Sequence, residues 1–317
     1  MRFACAGAVV AALCIWASQA QGADQGAQLP YRFIAQDKGH IAIMGRDGKI
    51  EWEVPCNYTS HDIQRLADGN FLFHVAATRI VEMTPEKKVV WQYESKPKAG
   101  YTGKVEVHAF QRLENGVTMI SESGNCRIIE VDRDGKIVKE MPLKVEHPSS
   151  HSDTRLVRKL ENGHYLVAHE SDGTVREYDD AGKVVWSYAL DLAGRPASPG
   201  HEGHGTSVYS AFRLANGNTL IGCGNGNRVI EVTPDGKIVW SIDQKELPGI
   251  TLHWVTMLQL LPNGNIVISN CHAGPENPQL IEVTREKKVV WAYKDFTNFG
   301  NNMAASMILD VEGKVLR

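Results

Sequence analysis

A short motif recurs through the 317-residue chain at a nearly fixed interval, and the fold must accommodate that period. The motif is a Leu followed by an Asx-Gly or related turn. It reads Leu66-Ala67-Asp68-Gly69-Asn70, then Leu113-Glu114-Asn115-Gly116, Leu160-Glu161-Asn162-Gly163, Leu214-Ala215-Asn216-Gly217 and Leu261-Pro262-Asn263-Gly264. Asp310-Val311-Glu312-Gly313 is a weaker sixth copy, and successive glycines lie 47, 47, 54, 47 and 49 residues apart. Between these turns runs a second element, a turn, a Lys, two β-branched residues and usually a Trp, ending at Trp52, Trp91, Trp186, Trp240 and Trp291. Lys139 takes the Trp place in Ile137-Val138-Lys139. Each unit then holds four short β runs, a to d, with tight turns joining a to b and c to d. Asn, Asp and Gly tolerate the positive φ that such hairpins need. Four strands at this period make a propeller blade.

The ends of the repeat array predict how the ring closes. Arg32–Ala35, Ile41–Met44 and Ile50–Trp52 read as strands b, c and d with no strand a before them. Ala305–Leu309 reads as a strand a with no c or d after it. The expectation is an all-β, six-bladed β-propeller over residues 31–317, closed by pairing the C-terminal strand a with N-terminal strands b to d. Closure removes the sheet edges that an open array would leave. The regularly placed Trp residues are read as packing between neighbouring sheets.

The first residues read as a secretory signal over 1–22. Arg2 is followed by an uncharged apolar run from Phe3 to Trp16, and small residues place cleavage near Ala20 or Gly22. An exported, periplasmic or secreted protein is expected, with no transmembrane span in the mature chain. Cys5 and Cys14 leave with the signal, and Cys56, Cys126, Cys223 and Cys271 form no CxxC pair. Export permits a disulfide. Cys223 with Cys271 is the best-placed pair, and buried free thiols are the alternative. The net charge of -3 argues against nucleic acid as a partner, because phosphate binding needs a basic surface. A monomer is expected.

The tight a–b and c–d turns share one face of the disc, so the longer b–c and d–a connections must share the other. Function concentrates in loops on a rigid scaffold. At the start of strand a, His61, His108, Arg155, Tyr209 and Thr256 occupy one slot, each eight residues before its turn glycine. His151, His204 and His253 lie slightly earlier in the same connections. This places histidines from five blades at one mouth of the channel. Two chemistries could use them. Neutral imidazoles of His61, His108 and His151 could hold a transition metal such as zinc, with Asp62, Glu106 or Asp153 orienting the rings. Alternatively a histidine acts as nucleophile or proton carrier while Arg155 grips an anion. The expected function is binding of a small-molecule or glycan-like ligand at this face. A protein-interaction platform without chemistry is a further alternative.

Asp235-Gly236-Lys237-Ile238-Val239-Trp240 resembles the repeat of PQQ-type propellers. The quinoprotein dehydrogenases of that group have eight blades, so the PQQ cofactor is not implied, and no organic cofactor is expected. His61-Asp62-Ile63-Gln64-Arg65-Leu66 and Leu252-His253-Trp254-Val255 are similar to blade starts of bacterial arylsulfotransferase-like propellers. That resemblance implies sulfuryl transfer through a channel histidine. It would give His253 or His204 the role of nucleophile, Arg155 that of anion clamp and His61 or His108 that of proton donor. The extra N-terminal β-domain of that group's bacterial enzymes is absent here.

Overall fold

Alternating apolar runs of four to seven residues, punctuated by Asx-Gly, can bury their faces only by stacking sheet on sheet. A computed structural model describes residues 28–192, 194 and 205–317, and all of its regular structure is β. The expected signal segment and His204 lie outside the described residues. In chain order the strands are β1 (Phe33–Asp37), β2 (His40–Met44), β3 (Ile50–Pro55), β4 (Ile63–Arg65), β5 (Phe71–His74), β6 (Arg79–Met83), β7 (Val89–Glu94) and β8 (Glu106–Arg112). There follow β9 (Thr118–Ser123), β10 (Arg127–Val131), β11 (Ile137–Pro142), β12 (Val157–Lys159), β13 (Tyr165–His169), β14 (Thr174–Tyr178), β15 (Val184–Ala189) and β16 (Ser210–Arg213). The last are β17 (Thr219–Gly222), β18 (Val229–Val232), β19 (Ile238–Ile242), β20 (Trp254–Leu260), β21 (Ile266–Cys271), β22 (Leu280–Val283), β23 (Val289–Tyr293) and β24 (Ser306–Ile308).

These strands form six four-stranded antiparallel sheets, and the closing one runs β24-β1-β2-β3. Its seam pairs Phe33 with Ile308, Ile34 with Met307 and Ala35 with Ser306. The ring is therefore closed as the sequence implies, with the C-terminal strand a beside the N-terminal strand b. Gly69 and Gly116 take φ of 90° and 83° in their a–b turns, where a Cβ would be strained. Two c–d turns place Lys87 and Lys287 at the same left-handed position instead, with φ of 66° and 64°.

The turn face is held by a clamp repeated from blade to blade. Strand c carries a Glu where the c–d register shifts by a bulge, at Glu82, Glu130, Glu177, Glu231 and Glu282. Each is nearly buried. Glu82 accepts from Asn70 at 2.8 Å in its own blade and from Arg112 at 2.8 Å in the next. Glu130 accepts from Lys159 at 2.5 Å, Glu177 from Arg213 at 2.5 Å, and Glu231 from Arg285. Burial without a partner would cost a carboxylate several kcal/mol, so each clamp fixes the register of two blades. The strand-d Trp residues join this layer. Trp52, Trp186 and Trp240 donate Nε1–H to carbonyls of the next blade at 2.7–2.8 Å. The guanidiniums of Arg213 and Arg285 sit over the Trp186 and Trp240 rings at 4.5 and 4.4 Å.

Candidate functional site

The mouth opposite the turns is built where strand a begins. Register in β8 shifts between Val107 and Ala109, leaving His108 as the extra residue of a bulge. A bulge re-aims a side chain, and here it delivers His108 to the channel. His61 lies just before β4, and its ring meets His108 edge-on with centroids 4.7 Å apart. His151, on the connection into β12, stands 6.3 Å from His61 and 5.6 Å from His108. Tyr209 crosses from the blade of β16–β19, its hydroxyl 3.1 Å from His61 Nδ1. Arg155 lies 5.9 Å from the Tyr209 ring centroid and 5.4 Å from that of Trp254, and its Nε donates to Glu170 at 2.5 Å. Four of the five residues counted to one slot therefore converge or touch. Thr256 does not join them. Register in β20 also shifts between Val255 and Leu258, so Trp254 is the side chain that reaches His61 from this blade, at 6.3 Å.

His151, Arg155, Glu170, Asn225, Trp254 and His272 line a recess of about 380 Å³. His272 lies nearly parallel to Trp254, 5.0 Å away. Arg155 Nη1, Asn225 Oδ1 and Trp254 Nε1 are buried with no hydrogen-bond partner among the described residues. A hollow over Asp243–Glu246 is lined by four consecutive residues of one loop and gathers no comparable set.

Burial, with the charge of Arg155 beside it, pushes His108 down to about 3. Burial, then His108 and Arg155, holds His61 well below the usual imidazole range. Both rings are neutral at physiological pH. Two further histidines are buried behind the mouth. His74 packs on Phe110 at 4.8 Å and sits 3.0 Å from Ser60 Oγ. His169 Nδ1 lies 2.9 Å from the Asp153 carbonyl, and its Nε2 lies 2.8 Å from Tyr178 Oη. Burial lowers each to about 4 from 6.5. The unfolded chain then takes up protons from which the folded one is protected, so stability falls as pH drops below 6.5 and levels off below about 4. Between pH 7.5 and 5.5 each of these two rings is expected to remove about 1.4 kcal/mol, and His61 and His108, lowered in the same direction, deepen the loss, so that the whole drop exceeds about 3 kcal/mol. Urea unfolding at the two pH values measures it, and a free energy unchanged across that interval would contradict the burial of both rings.

Several sequence expectations change. The Asp62 carboxylate bonds no histidine among the described residues. It is fully buried and receives Arg158 at 2.7 and 3.0 Å and Arg317 at 2.8 Å. The Asp153 carboxylate ties its loop to the turn between β9 and β10, accepting from Ser149 N and from Gly124 N at 2.7 Å. Only Glu106 among the three carboxylates adjoins the rings, 3.3 Å from His108 Nε2 and 2.8 Å from His151 Nδ1. The donor atoms that gather within 4.8 Å are those of Glu106, His108 and His151, so Glu106 replaces His61 in the expected metal trio. His61 instead turns Nδ1 to Tyr209. His253 bonds through its backbone N to Asn270 Oδ1 at 2.7 Å, and no ring contact joins it to His61 or His108 among the described residues. Cys223 and Cys271 are buried in different apolar clusters and form no disulfide with each other, which is the alternative of the two expectations. Trp254 and His272 were missed as site residues. The available signal was that Trp254 falls outside the strand-d position shared by most of the other Trp residues.

The fold has many counterparts. A protein of unknown function from Bacteroides caccae superposes with a TM-score of 0.71 at 24% identity, covering 87% of this chain and 98% of its own. A streptogramin B lyase aligns at 0.56 and 15%, covering 88% and 83% of the two chains. A catalytically inactive histidine-to-alanine variant of virginiamycin B lyase from Staphylococcus aureus, solved with quinupristin, aligns at 0.54 and 15%, covering 86% and 87%. At these identities the likeness is one of fold. No curated protein matches the chain significantly. Residues 37–293 match the PQQ_2 family, described as outer membrane protein assembly factor BamB, and they span five whole blades and part of the closing one. The chain belongs to the PQQ_2, BamB-like family of β-propellers.

Proposed function

We propose that the protein is exported and binds a small anionic molecule with a planar or sugar ring in the recess at the channel mouth. One observation carries this reading: Arg155, Asn225 and Trp254, which line a single recess, each hold a buried polar atom (Nη1, Oδ1 and Nε1) without a partner among the described residues. Buried polar groups are nearly always satisfied, and each unsatisfied one costs about 1–3 kcal/mol. A ligand that offers an anionic acceptor to Arg155 and a donor to Asn225 recovers that cost. The stacked Trp254 and His272 rings supply a flat face for its ring. The volume of about 380 Å³ suits a ligand of that size.

A panel of 4-nitrophenyl sulfate, 4-nitrophenyl phosphate, 4-hydroxybenzoate and glucuronate, titrated calorimetrically into the mature protein, tests it. At least one is expected to bind, with affinity falling roughly tenfold or more in Arg155→Gln and in Trp254→Ala, the loss of a charge-assisted hydrogen bond or of an aromatic face. No binding across the panel, or binding unaltered in both variants, would return the face to a protein-docking role.

Sulfuryl transfer is a second reading, favoured by the neutral ring of His61 within the field of Arg155. An imidazole nitrogen would attack sulfur as the bond from sulfur to the aryl oxygen breaks, and the phenolate would leave with a proton from solvent or a neighbouring acid. Release of 4-nitrophenolate from 4-nitrophenyl sulfate with a phenol acceptor, lost in His61→Ala, is the expected sign. No release by the wild type eliminates transfer and leaves binding intact.

A further inference from the structure

We propose that Glu106, His108 and His151 form a binding site for a first-row divalent transition metal, zinc being the natural probe, with an open coordination position toward the recess. The argument starts from the tautomer of His108. Its Nδ1 lies 2.9 Å from the Thr154 carbonyl oxygen, which can only accept, so Nδ1 carries the hydrogen. A ring that carries its hydrogen on Nδ1 alone presents Nε2 as a bare lone pair. That atom is buried and makes no hydrogen bond, yet it stands 3.3 Å from Glu106 Oε2. Two lone-pair atoms at that distance, one on a carboxylate, repel each other unless a cation lies between them.

The distance between His108 Nε2 and Glu106 Oε2 matches such a cation, whereas His151 Nδ1, 2.8 Å from the same oxygen, lies at hydrogen-bond distance and would move off by about 0.5 Å to join it. Ligands about 2.0 Å from a tetrahedral zinc stand about 3.3 Å from one another. Glu106 and His108 stand two residues apart on β8 with their heads 3.3 Å apart, and the donor atom of His151 completes a group within 4.8 Å. The contact between Thr154 and His108 is the kind of outer interaction that fixes a metal-binding imidazole. His151 is mostly exposed and borders the recess, so solvent or a ligand reaches the remaining position. Two imidazoles and one carboxylate suit zinc or another borderline divalent ion better than magnesium or calcium, which prefer all-oxygen sets.

The inference is independent of the ligand reading, because the metal alone is the probe. Tag-free mature protein, freed of metal with a chelator, is titrated with Zn²⁺ by calorimetry and with Co²⁺ by visible absorption. One saturable site is expected. His151→Ala and Glu106→Gln should weaken it by more than the roughly 10–100-fold that loss of an outer partner costs. His147→Ala, an exposed histidine paired with Asp172 outside this group, should leave it unchanged. Because His151 is exposed, its variant is expected to fold normally, which circular dichroism checks. No saturable uptake by the wild type, or equal uptake by His151→Ala, overturns the proposal. The first result would mean that a proton, not a metal, bridges Glu106 and His108.

Discussion

Deleting Asn301–Arg317 is expected to abolish cooperative unfolding and leave an insoluble or molten chain. The segment supplies β24, the partner of β1 on its inner side. It also contributes Met303, Ala304, Ala305 and Ile308, all buried. Full burial of a Met or Ile side chain is worth about 1.5–3 kcal/mol, so these residues alone approach the lower end of a domain's net stability. The deletion further exposes the edges of β1 and the face of β4, which invites intermolecular pairing. It also removes Arg317 from Asp62, and Leu316 from its antiparallel bridge to Leu260. Thermal unfolding followed by circular dichroism measures the outcome. A truncated protein with an unchanged midpoint would mean that the seam does not hold the ring together.

Asp62→Ala is expected to cost about 3–5 kcal/mol, the range for breaking a buried ion pair by removing one partner. Asp62 lies within the channel wall at 0% exposure and is the shared acceptor of two nearly buried guanidiniums, Arg158 and Arg317. Its loss strands two positive charges in a space too dry to solvate them. Burial already lowers Arg317 to about 10, which records how little that position favours the charged form. Equilibrium urea unfolding of the variant against wild type gives the figure. Adding Arg158→Met to Asp62→Ala should recover part of the loss, since one stranded charge goes with it. A single-variant cost under about 1 kcal/mol would show that solvent reaches the cluster.

The clamp and the ion cluster differ in how far they could be read in advance. The strand-c glutamates recur at a fixed place in the repeat, and three of them, Glu82, Glu130 and Glu177, are met by a cation at the end of the next strand a. Asp62 sits one residue from His61 in a short connection, and nothing local distinguishes a carboxylate that steadies an imidazole from one that anchors two arginines. Its partners lie 96 and 255 residues away. The same limit applied to the proposed metal trio. His61 and His108 share a slot by count, but Tyr209 reaches across the channel to claim His61 Nδ1, and Glu106 takes the vacated place.

The sequence by itself determined the architecture, because a blade is a local object. Tight turns, alternation and a period near 47 residues each act over a few neighbours, and the incomplete units at either end left one way to close the ring. It also determined which face carries the long loops and that histidines from several blades converge there, since that follows from connectivity. Only the tertiary structure decided which of those side chains meet. The bulge in β20 displaced the count, so that Trp254 rather than Thr256 reaches His61, and the connection into β12 brought His151 beside Glu106. A bulge arises from competition between backbone pairing and packing across blades, which the residues of one strand do not contain.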